Sequence, residues 1–591
     1  MLEFEQPIIP EALVLKTSIP SRLVFGAFIV FLFCSLPPVL RAASNRTISA
    51  VGAGKGCPAE TQGGMLLEPA SRRSKNGILK LSLFVRSSTD SLRHLRYCYV
   101  DELGNLDPTL HVAPGDTLIV RLKNEISLPV SAAKKYKTEQ RKNRNPCSGG
   151  IMSEFATNLH FHGLALPPIC HEDETIKTLI EPGDPPFEYR VKIPPTQPPG
   201  LYWYHPHVHG FSEEQLLGGA SGAIVVEGIE KAVPRVAGLP ERVFVIRDEL
   251  MPDPMPSETP NPNRPTKQLS INHVVVPYPK YPTPQTQMKP LERQLWRVLN
   301  ASADTYLDLK MEYAGKRQSF EMVALDGVPL HYGDPGAQTY APQQLDIFLP
   351  PATRAEFVVK APPAGVSGTM QTSFVFRGAL DDDRPVLPTG NQPPALRMGQ
   401  DDVDPARPLL SIVSAVNAAT PPGMLPLVTD LQPPAKSLSA IRPVRKRLLY
   451  FSEELVDPRD PKSATRFFIT EEGHTPMVFD PAKMEPSITV HQGEVEDWTV
   501  ENRSREVHTF HIHQIHFLVV GSRGAGWEEP TLRDTVNIPA WSGFGEYPRL
   551  VLRMDFRGPD VAGIIPFHCH IAQHLDGGMM AVVRVEPASS Y

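Results

Sequence analysis

The sequence predicts an all-β protein built from three consecutive β-sandwich domains. Short segments alternate apolar and polar residues between Gly- or Pro-containing turns, as the strands of antiparallel sandwiches do, and no long segment has the 3.6-residue period of a helix. One strand-like pattern also recurs three times at domain-sized intervals. A length of 591 residues with 41% hydrophobic and 21% charged residues fits several ordinary globular domains better than one.

The recurring pattern is an acidic residue followed eight positions later by Asn. It occurs in GDTLIVRLKN, ERQLWRVLN and GEVEDWTVEN, where the pairs are Asp116 and Asn124, Glu292 and Asn300, and Glu494 and Asn502. Intervals of about 180 and 200 residues are too long for solenoid repeats and suit whole sandwiches. We therefore predict domains at residues 65–230, 238–420 and 446–587, with the Pro-rich stretch Thr420–Pro434 before the third.

The first 44 residues predict a signal peptide or an N-terminal anchor. An apolar run, Leu23–Leu36, follows Arg22 and precedes the small residues Ala42, Ala43 and Ser44. The run is short for a membrane span, which needs about 20 apolar residues. A secreted or periplasmic protein is the favoured prediction, and a membrane tether through an uncleaved segment is the alternative.

Cysteine usage favours an oxidising compartment. Of the six cysteines, Cys34 lies in the apolar run and Cys569 lies between two histidines. The remaining even set, which allows three pairings, is Cys57, Cys98, Cys147 and Cys170. Cys147 with Cys170 is the preferred bridge because it would close the loops around the first histidine cluster.

The charge pattern argues against a nucleic-acid partner. The formal net charge is only -6, and no dense Lys/Arg run offers a stripe that could follow a phosphate backbone. We therefore expect no nucleic acid among the partners.

Four His-x-His pairs are the main chemical feature of the chain. They are His160 and His162, His205 and His207, His511 and His513, and His568 and His570. Two pairs fall in the first repeat, two in the third and none in the middle one. Residues i and i+2 of a strand project from the same face, so each pair offers two adjacent imidazoles. If the first and third domains pack face to face, these eight imidazoles could hold about three metal ions. The middle domain would then be a spacer or lid.

Cys569 predicts a second metal site. On a strand its side chain points away from His568 and His570, toward a different set of ligands. With His508, His574 and Met579 it supplies one thiolate, two imidazoles and a thioether, the ligand set of a blue-copper electron-transfer centre. Because Cys569 is bonded to both neighbouring histidines, we predict a short covalent path for electrons between the two sites.

The motifs HFHG, HPHVHG, HTFHIH and HCHIAQHLDGGMM resemble the four signature segments of the multicopper oxidases, laccase-like proteins of three cupredoxin domains. The resemblance runs from about residue 65 to 587 and includes RDTVNIP, at residues 533–539. It implies three Greek-key cupredoxin folds and four copper ions. The implied ligands are His508, Cys569, His574 and Met579 for type 1 copper; His160 and His511 for type 2; and His162, His205, His207, His513, His568 and His570 for the type 3 pair. The resemblance also implies oxidation of phenols or aromatic amines at type 1 copper and reduction of dioxygen to water at the cluster.

Reduction of dioxygen to water consumes protons, so a carboxyl group is expected near the cluster. Asp173 in CHEDET is the candidate, although Glu172 and Glu174 could equally make this an ordinary acidic loop. Some family members carry a relay Glu directly after the last His of the fourth motif. Here that position is Leu575, and Asp576 is the possible substitute. The predicted catalytic set is therefore Cys569, His568, His570, Asp173 and Asp576.

Three alternative functions remain open from the sequence. A cuprous or ferrous oxidase would also take electrons at the type 1 site; no methionine-rich insertion supports the cuprous form, and the acidic run Asp381–Asp383 could attract cations. A copper nitrite reductase would need no type 3 pair. A non-enzymatic copper-binding scaffold would need no complete electron path. The expected partners are a small-molecule or metal-ion electron donor and dioxygen.

Overall fold

The structure is a computed structural model that describes most of the chain after residue 55. The described residues are 56–58, 60–89, 94–129, 144–251, 265–276, 282–330, 332, 342–378, 403–427, 429–433, 437–460, 463–523 and 531–588. The predicted signal or anchor segment and the run Asp381–Asp383 lie outside them. Among the described residues, no helix is long and apolar enough to cross a membrane.

The first pair of sheets holds the first two histidine pairs. A four-stranded sheet contains, in order, Leu95–Asp101, Ile78–Thr89, Thr117–Glu125 and Phe187–Lys192. The opposing five-stranded sheet contains Ser71–Arg73, Thr109–Val112, Gly222–Val226, Gly200–His205 and His160–His162. Leucine, valine and tyrosine side chains from both sheets form one buried core between them.

The middle pair of sheets is the largest. Its nine-stranded sheet contains Thr61–Gln62, Val274–Val276, Lys267–Ile271, Glu241–Leu250, Arg293–Asn300, Arg354–Lys360, Phe320–Leu325 and Val328–Pro329, with Gln343–Gln344 paired to Phe320–Leu325. The six-stranded sheet contains Gln285–Met288, Arg407–Ser414, Ser367–Thr372, Leu307–Tyr313 and Lys316–Gln318, with Ile347–Leu349 paired to Leu307–Tyr313. A further ribbon joins Val375–Phe376 to Val403–Asp404.

The third pair of sheets holds the last two histidine pairs. Its six-stranded sheet contains Thr465–Glu471, Arg445–Leu455, Val495–Asn502, Arg549–Asp555, Phe517–Arg523 and Leu532–Arg533. The five-stranded sheet contains Ile488–His491, Met580–Glu586, Gly563–Cys569, His508–Ile512 and Thr535–Ile538. The predicted all-β class is confirmed, while the domain limits drawn from the sequence stay a prediction.

Helices are short throughout the described residues. The α-helices are Ser212–Leu217, Ile229–Ala232 and Ala572–Asp576, and the 3-10 helices are Pro146–Ser148, Pro234–Val236 and Leu438–Ala440. The helix Ala572–Asp576 matters for the site because it carries His574.

The sandwiches are mixed and not purely antiparallel, which corrects one expectation. In each of them the strand that carries the repeated Asn near its end runs parallel to an earlier strand: Thr117–Glu125 beside Ile78–Thr89, Arg293–Asn300 beside Glu241–Leu250, and Val495–Asn502 beside Arg445–Leu455. The alternation pattern indicates a half-buried strand but not the direction of its neighbour, which depends on the connection between strands.

The repeated Asn has the same structural role in all three sandwiches. The amide groups of Asn124, Asn300 and Asn502 each donate to two backbone carbonyls, and their side-chain oxygens each accept from the backbone N–H two residues later. Each side chain therefore binds the end of its strand to neighbouring loops. The pattern recognised in the sequence is a recurring buried hydrogen-bond node.

Two disulfides link the described cysteines. Cys147 bonds to Cys170, the pairing preferred from the sequence, and Cys57 bonds to Cys98. Cys569 is the free and buried thiol among the described residues.

The three sandwiches share buried apolar contacts. One core cluster contains Trp203 from the first, Leu299 and Ala352 from the middle and Ala572 from the third sandwich. Tyr306 of the middle sandwich is likewise buried in the core of the third. These contacts fix the first and third sandwiches relative to each other, which determines whether their histidines can meet.

Candidate metal centres

The side chains of His508, Cys569 and His574 form one compact set of donor atoms. The Nδ1 atoms of the two histidines are 3.1 Å apart, and Sγ of Cys569 lies 3.7 Å from each. A point equidistant from the three atoms is about 2 Å from each, which matches metal–nitrogen bonds and is slightly short for metal–sulfur bonds. All three residues are buried. The arrangement fits a single thiolate-bound ion.

Local strand geometry produces this set. Cys569 ends the strand Gly563–Cys569 and pairs with Phe510 of the neighbouring strand His508–Ile512. His508 begins that neighbouring strand, and His574 follows on the helix Ala572–Asp576. Met579 is buried in the same core cluster as Cys569, and its role as axial ligand stays a prediction.

In both His508 and His574, the outer ring nitrogen, which is the Nε2 that faces away from Cys569, contacts an acidic side chain. Nε2 of His574 lies 3.0 Å from Oε2 of Glu506, and Nε2 of His508 lies 3.1 Å from Oε1 of Glu453 and 2.7 Å from Oγ of Ser504. These contacts orient both rings so that Nδ1 faces the thiol. The Glu506 side chain is 13% exposed and Glu453 only 5%, so Glu506 is the more accessible carboxylate.

The eight paired histidines converge between the first and third sandwiches. The ring of His160 stacks on that of His513, and the ring of His162 on that of His511, each with centroids 3.9 Å apart. Nε2 of His568 lies 3.2 Å from Nε2 of both His207 and His513. The spatial convergence predicted from the sequence is therefore present. Within the described ranges, none of the compact groups of potential ligands lies wholly or partly in the middle sandwich.

Strand geometry explains only part of this convergence. His160 and His162 both lie on one strand, as expected. In the other three pairs the strand ends before the second histidine, at His205, Ile512 and Cys569. The two rings of each pair nevertheless stay within 5.1 to 6.0 Å of each other. These pairs thus depend on the turns after the strands as well as on the strands themselves.

Most of these rings are anchored through one nitrogen. His160 uses Nδ1 toward Asp173 at 3.0 Å, and His162 uses Nε2 toward Asp534 at 3.3 Å. Backbone carbonyls accept from Nδ1 of three others, namely His205 to Pro206, His511 to Asp534 and His568 to Cys569. Such contacts are the usual way in which a protein orients metal-ligating histidines.

Among the described residues, several ring nitrogens of these histidines lack partners. Buried nitrogens with no hydrogen bond are Nε2 of His160, His205 and His511, Nδ1 of His162 and His513, and both ring nitrogens of His570. Buried polar atoms are nearly always paired, so a cluster of orphaned acceptors calls for a missing partner. Burial also lowers the pKa of each of the eight histidines below its ordinary value, which keeps the rings neutral, as metal ligation requires. The donor set fits a cluster of copper ions.

The two predicted relay carboxylates occupy different surroundings. Asp173 is buried and accepts from Phe161 N–H and the Gln514 amide as well as contacting His160. Burial raises the pKa of Asp173 well above its ordinary value. Glu174, in contrast, accepts backbone N–H groups of its own loop, including those of Lys177 and Thr178. Asp173 is therefore the carboxylate of this loop that touches the cluster.

Asp576 lies at the end of the helix that follows the last histidine pair. Its carboxylate accepts from the backbone N–H groups of Gly210 and Glu213 at 3.0 and 2.8 Å. Burial raises the pKa of Asp576 to about 7. Its carboxylate thus joins the first and third sandwiches, and a role in proton delivery stays a prediction.

Sequence reasoning missed several side chains next to the ligands. Asp534 contacts His162 and pairs with Arg354 of the middle sandwich. The only signal for Asp534 was its place in RDTVNIP, which carried no assigned role. Glu453 and Glu506 lie outside every recognised motif, and only the fold brings them to His508 and His574.

Comparison with known proteins supports one family. Two family models, both described as multicopper oxidase, match residues 152–231 and 457–589, which contain the histidine motifs. The multicopper oxidase mco of Staphylococcus epidermidis is 23% identical over 443 residues, covering 73% of this chain and 76% of the relative.

Solved structures of similar fold include oxidases of two kinds. A multicopper oxidase from Campylobacter jejuni, described as a metallo-oxidase, matches with a TM-score of 0.60 and 22% identity, covering 91% of this chain and 99% of that one. A laccase from Pediococcus acidilactici matches with a TM-score of 0.58 and 18% identity, covering 90% and 95%. At these identities the two matches establish the shared fold.

The fold and the two donor sets define a copper-dependent oxidoreductase of cupredoxin architecture. Both histidine-bearing segments match the multicopper oxidase family models, and the chain is similar to members of that family.

Proposed function

We propose that this protein is a laccase-like oxidase. It couples one-electron oxidation of phenols or aromatic amines to four-electron reduction of dioxygen to water. The observation that carries the proposal is that one short backbone segment, His568 to His570, supplies donors to both sets. Cys569 faces His508 and His574, while its neighbours His568 and His570 face the eight-imidazole site.

The proposal includes four copper ions. His508, Cys569 and His574, with Met579 as axial ligand, would hold type 1 copper; His160 and His511 would hold type 2; and the remaining six paired histidines would hold the type 3 pair. Copper bound in this way supplies one-electron oxidation of the donor at type 1 and reduction of dioxygen at the three-ion cluster. The buried, neutral imidazoles with orphaned nitrogens support this assignment.

Glu506 is the proposed docking residue for the donor. Its partly exposed carboxylate lies 3.0 Å from Nε2 of His574, at the outer edge of the type 1 site. There it can accept a hydrogen bond from a phenolic hydroxyl or an aromatic amine and take up the proton that the donor releases on oxidation. Asp173, bonded to His160, is the matching group that holds or delivers a proton at the cluster.

A ferrous or cuprous donor is the second candidate. The observation that favours it is the pair of carboxylates, Glu453 and Glu506, at the outer nitrogens of the type 1 histidines. Carboxylates near a histidine could bind a metal cation as well as an organic donor. The metallo-oxidase among the similar structures is consistent with this candidate.

Oxygen consumption by the copper-loaded protein tests the proposal. The donors are a substituted phenol, an aromatic amine, Fe(II) and Cu(I), each assayed with wild type and with Glu506→Gln. We expect turnover of the phenol and the amine, and a lower kcat/KM in the variant because the proton acceptor is lost. If Fe(II) or Cu(I) is oxidised and neither the phenol nor the amine is, the proposed organic donor is wrong and the metal-ion donor takes its place.

Two controls make the assay specific. Glu472→Gln removes a 52% exposed carboxylate of the same sandwich that pairs with Arg503 and should leave every rate unchanged. Cys569→Ser should reduce donor oxidation to the background rate and abolish the blue absorption. Nitrite reduction without oxygen consumption would indicate a copper nitrite reductase, and copper binding without turnover of any donor would indicate a scaffold.

We also infer that the protein works outside the cytosol, by secretion or in a periplasm. The disulfides Cys57–Cys98 and Cys147–Cys170 support this location because such bonds persist in oxidising compartments. Cell fractionation tests it, since recovery of the protein in the cytosol with free thiols at these four positions would contradict it.

A further inference from the structure

The middle sandwich contributes a buried arginine to the surroundings of the histidine cluster. Arg354 begins the strand Arg354–Lys360, and its guanidinium is fully buried. It donates to the backbone carbonyls of Leu201, Ala352 and Asp326 at 3.1, 3.1 and 2.8 Å. Its two terminal nitrogens also donate to the two carboxylate oxygens of Asp534 at 2.8 and 2.6 Å. These five bonds use the full donor capacity of a guanidinium.

Asp534 links this arginine to the cluster. Its Oδ1 lies 3.3 Å from Nε2 of His162 and accepts from Thr535 Oγ1 at 2.7 Å. Its backbone carbonyl accepts from Nδ1 of His511. One residue therefore contacts two facing imidazoles, one from the first sandwich and one from its own sandwich.

Gly163 leaves the space that the ion pair of Arg354 and Asp534 occupies. A Cβ atom at Gly163, directly after His162, would lie 2.5 Å from Oδ2 of Asp534 and 2.7 Å from Nη2 of Arg354. The backbone there also has φ of +85°, a conformation that side-chain-bearing residues rarely adopt. The glycine of the HFHG motif thus makes room for a contact among all three sandwiches.

A second pair stabilises the same arrangement. Arg533 donates to Oδ2 of Asp326 at 3.0 Å, and Asp326 in turn lies beside Arg354. The imidazole of His516 lies 3.7 Å from Asp534. Since the carboxylate of Asp534 is fully buried, removing the guanidinium would leave it without the charged partner that compensates its burial.

We propose that Arg354 is a positioning residue for the copper cluster, although its own sandwich carries no copper ligand. By fixing Asp534, it orients the imidazole of His162 so that the orphaned Nδ1 points into the cluster, and it holds the first and third sandwiches in register at that point. The inference rests on the proposed function and assigns the middle sandwich a direct part in building the site.

The test compares Arg354→Lys and Arg354→Gln with a matched control, Arg297→Lys. Arg297 is also a fully buried arginine of the middle sandwich, but it pairs with Glu241 and Glu356 of its own sandwich and not with Asp534. Copper per chain is measured by elemental analysis, type 1 copper by blue absorption, and type 2 copper by electron paramagnetic resonance during a copper titration.

We expect both Arg354 variants to keep the blue absorption and to bind the cluster copper about 10- to 100-fold more weakly, with Arg354→Lys the milder because it retains the charge. Arg297→Lys should show wild-type copper affinities even where its melting temperature falls. Asp534→Asn combined with Arg354→Gln should be no worse than either variant alone, because both act through one contact.

Two outcomes would overturn the inference while leaving the proposed function intact. One is wild-type cluster affinity in both Arg354 variants. The other is an equal loss of blue absorption and cluster copper in both variants, which would indicate general unfolding. A wild-type protein that binds no cluster copper would instead end the proposed function itself, before any variant is compared.

Discussion

Among single residues, the candidate ligands could be selected from the sequence because metal-binding chemistry depends on fixed local spacing. The His-x-His pairs and the segment from Cys569 to Met579 place the donor types within a few positions of one another. The residues that orient them follow no such rule. Asp534, Glu453 and Glu506 reach the ligands from distant segments, and many carboxylates in the chain would have looked equally plausible.

Asp173 allows a first residue-scale prediction. Asp173→Asn removes the carboxylate that orients His160, so we expect the affinity for type 2 copper to fall about 10- to 100-fold. A copper titration followed by electron paramagnetic resonance measures this, with the blue absorption as internal reference. Full copper occupancy with slower oxygen reduction would show that Asp173 acts mainly in proton delivery, and unchanged affinity and rate would contradict both roles.

At the scale of elements, the repeated acid and Asn positions indicate three copies of one strand from the sequence alone. The reason for the repeat lies in the fold, because the sequence shows neither the carbonyls that each Asn binds nor the parallel neighbour of its strand. The sequence also did not predict that the strands end at His205, Ile512 and Cys569 and that turns follow them. A strand period predicts where side chains point only as far as the strand continues.

The middle repeat gives the cleanest element-scale prediction, since its Asn lies outside the ligand-bearing sandwiches. Asn300→Ala removes hydrogen bonds to Thr305, Leu349 and Ser302 and leaves buried carbonyls unpaired, so we expect a loss of about 3 kcal/mol in the free energy of unfolding. Denaturant unfolding measures it. The exposed Asn417→Ala is the control, and equal stability of the two variants would refute the shared role of the repeat.

At the scale of the whole molecule, the sequence predicted three sandwiches and the meeting of the first and third. Because the middle repeat has no His-x-His pair, the sequence predicted only a spacer or lid for the middle sandwich. That description is incomplete. Tyr306 is buried in the core of the third sandwich, and Arg354 pairs with Asp534 beside the histidine cluster. The middle sandwich therefore contacts both the third sandwich and the surroundings of the cluster. Contacts between domains depend on pairs of residues that are far apart in the chain, and a single sequence carries no signal for them.

A carboxylate pair at the contact between the first and middle sandwiches predicts how stability depends on pH. Burial, together with nearby Glu60, raises the pKa of Glu249 from 4.5 to about 9, although Arg96 contacts Glu249 at 2.6 Å. The folded protein therefore keeps a proton that the unfolded chain releases, and the stability contribution is lost as pH rises from about 4.5 to about 9.

Glu249→Gln should flatten this dependence. We expect the fall in melting temperature between about pH 5 and about pH 9 to be smaller in the variant than in wild type, since the amide releases no proton. Thermal unfolding across this range measures it, with Glu472→Gln as the control. A slope identical to that of wild type would show that Glu249 does not retain its proton in the folded protein.

Imidazoles of the first and third sandwiches are proposed to enclose one copper cluster beside a separate thiolate site. Crystals of the copper-loaded protein, measured at the copper absorption edge, test this most directly through anomalous scattering. We expect one peak among His508, Cys569 and His574 and a group of three among the four His-x-His pairs. A single peak beside Cys569, or no peak between the paired histidines, would contradict this proposal.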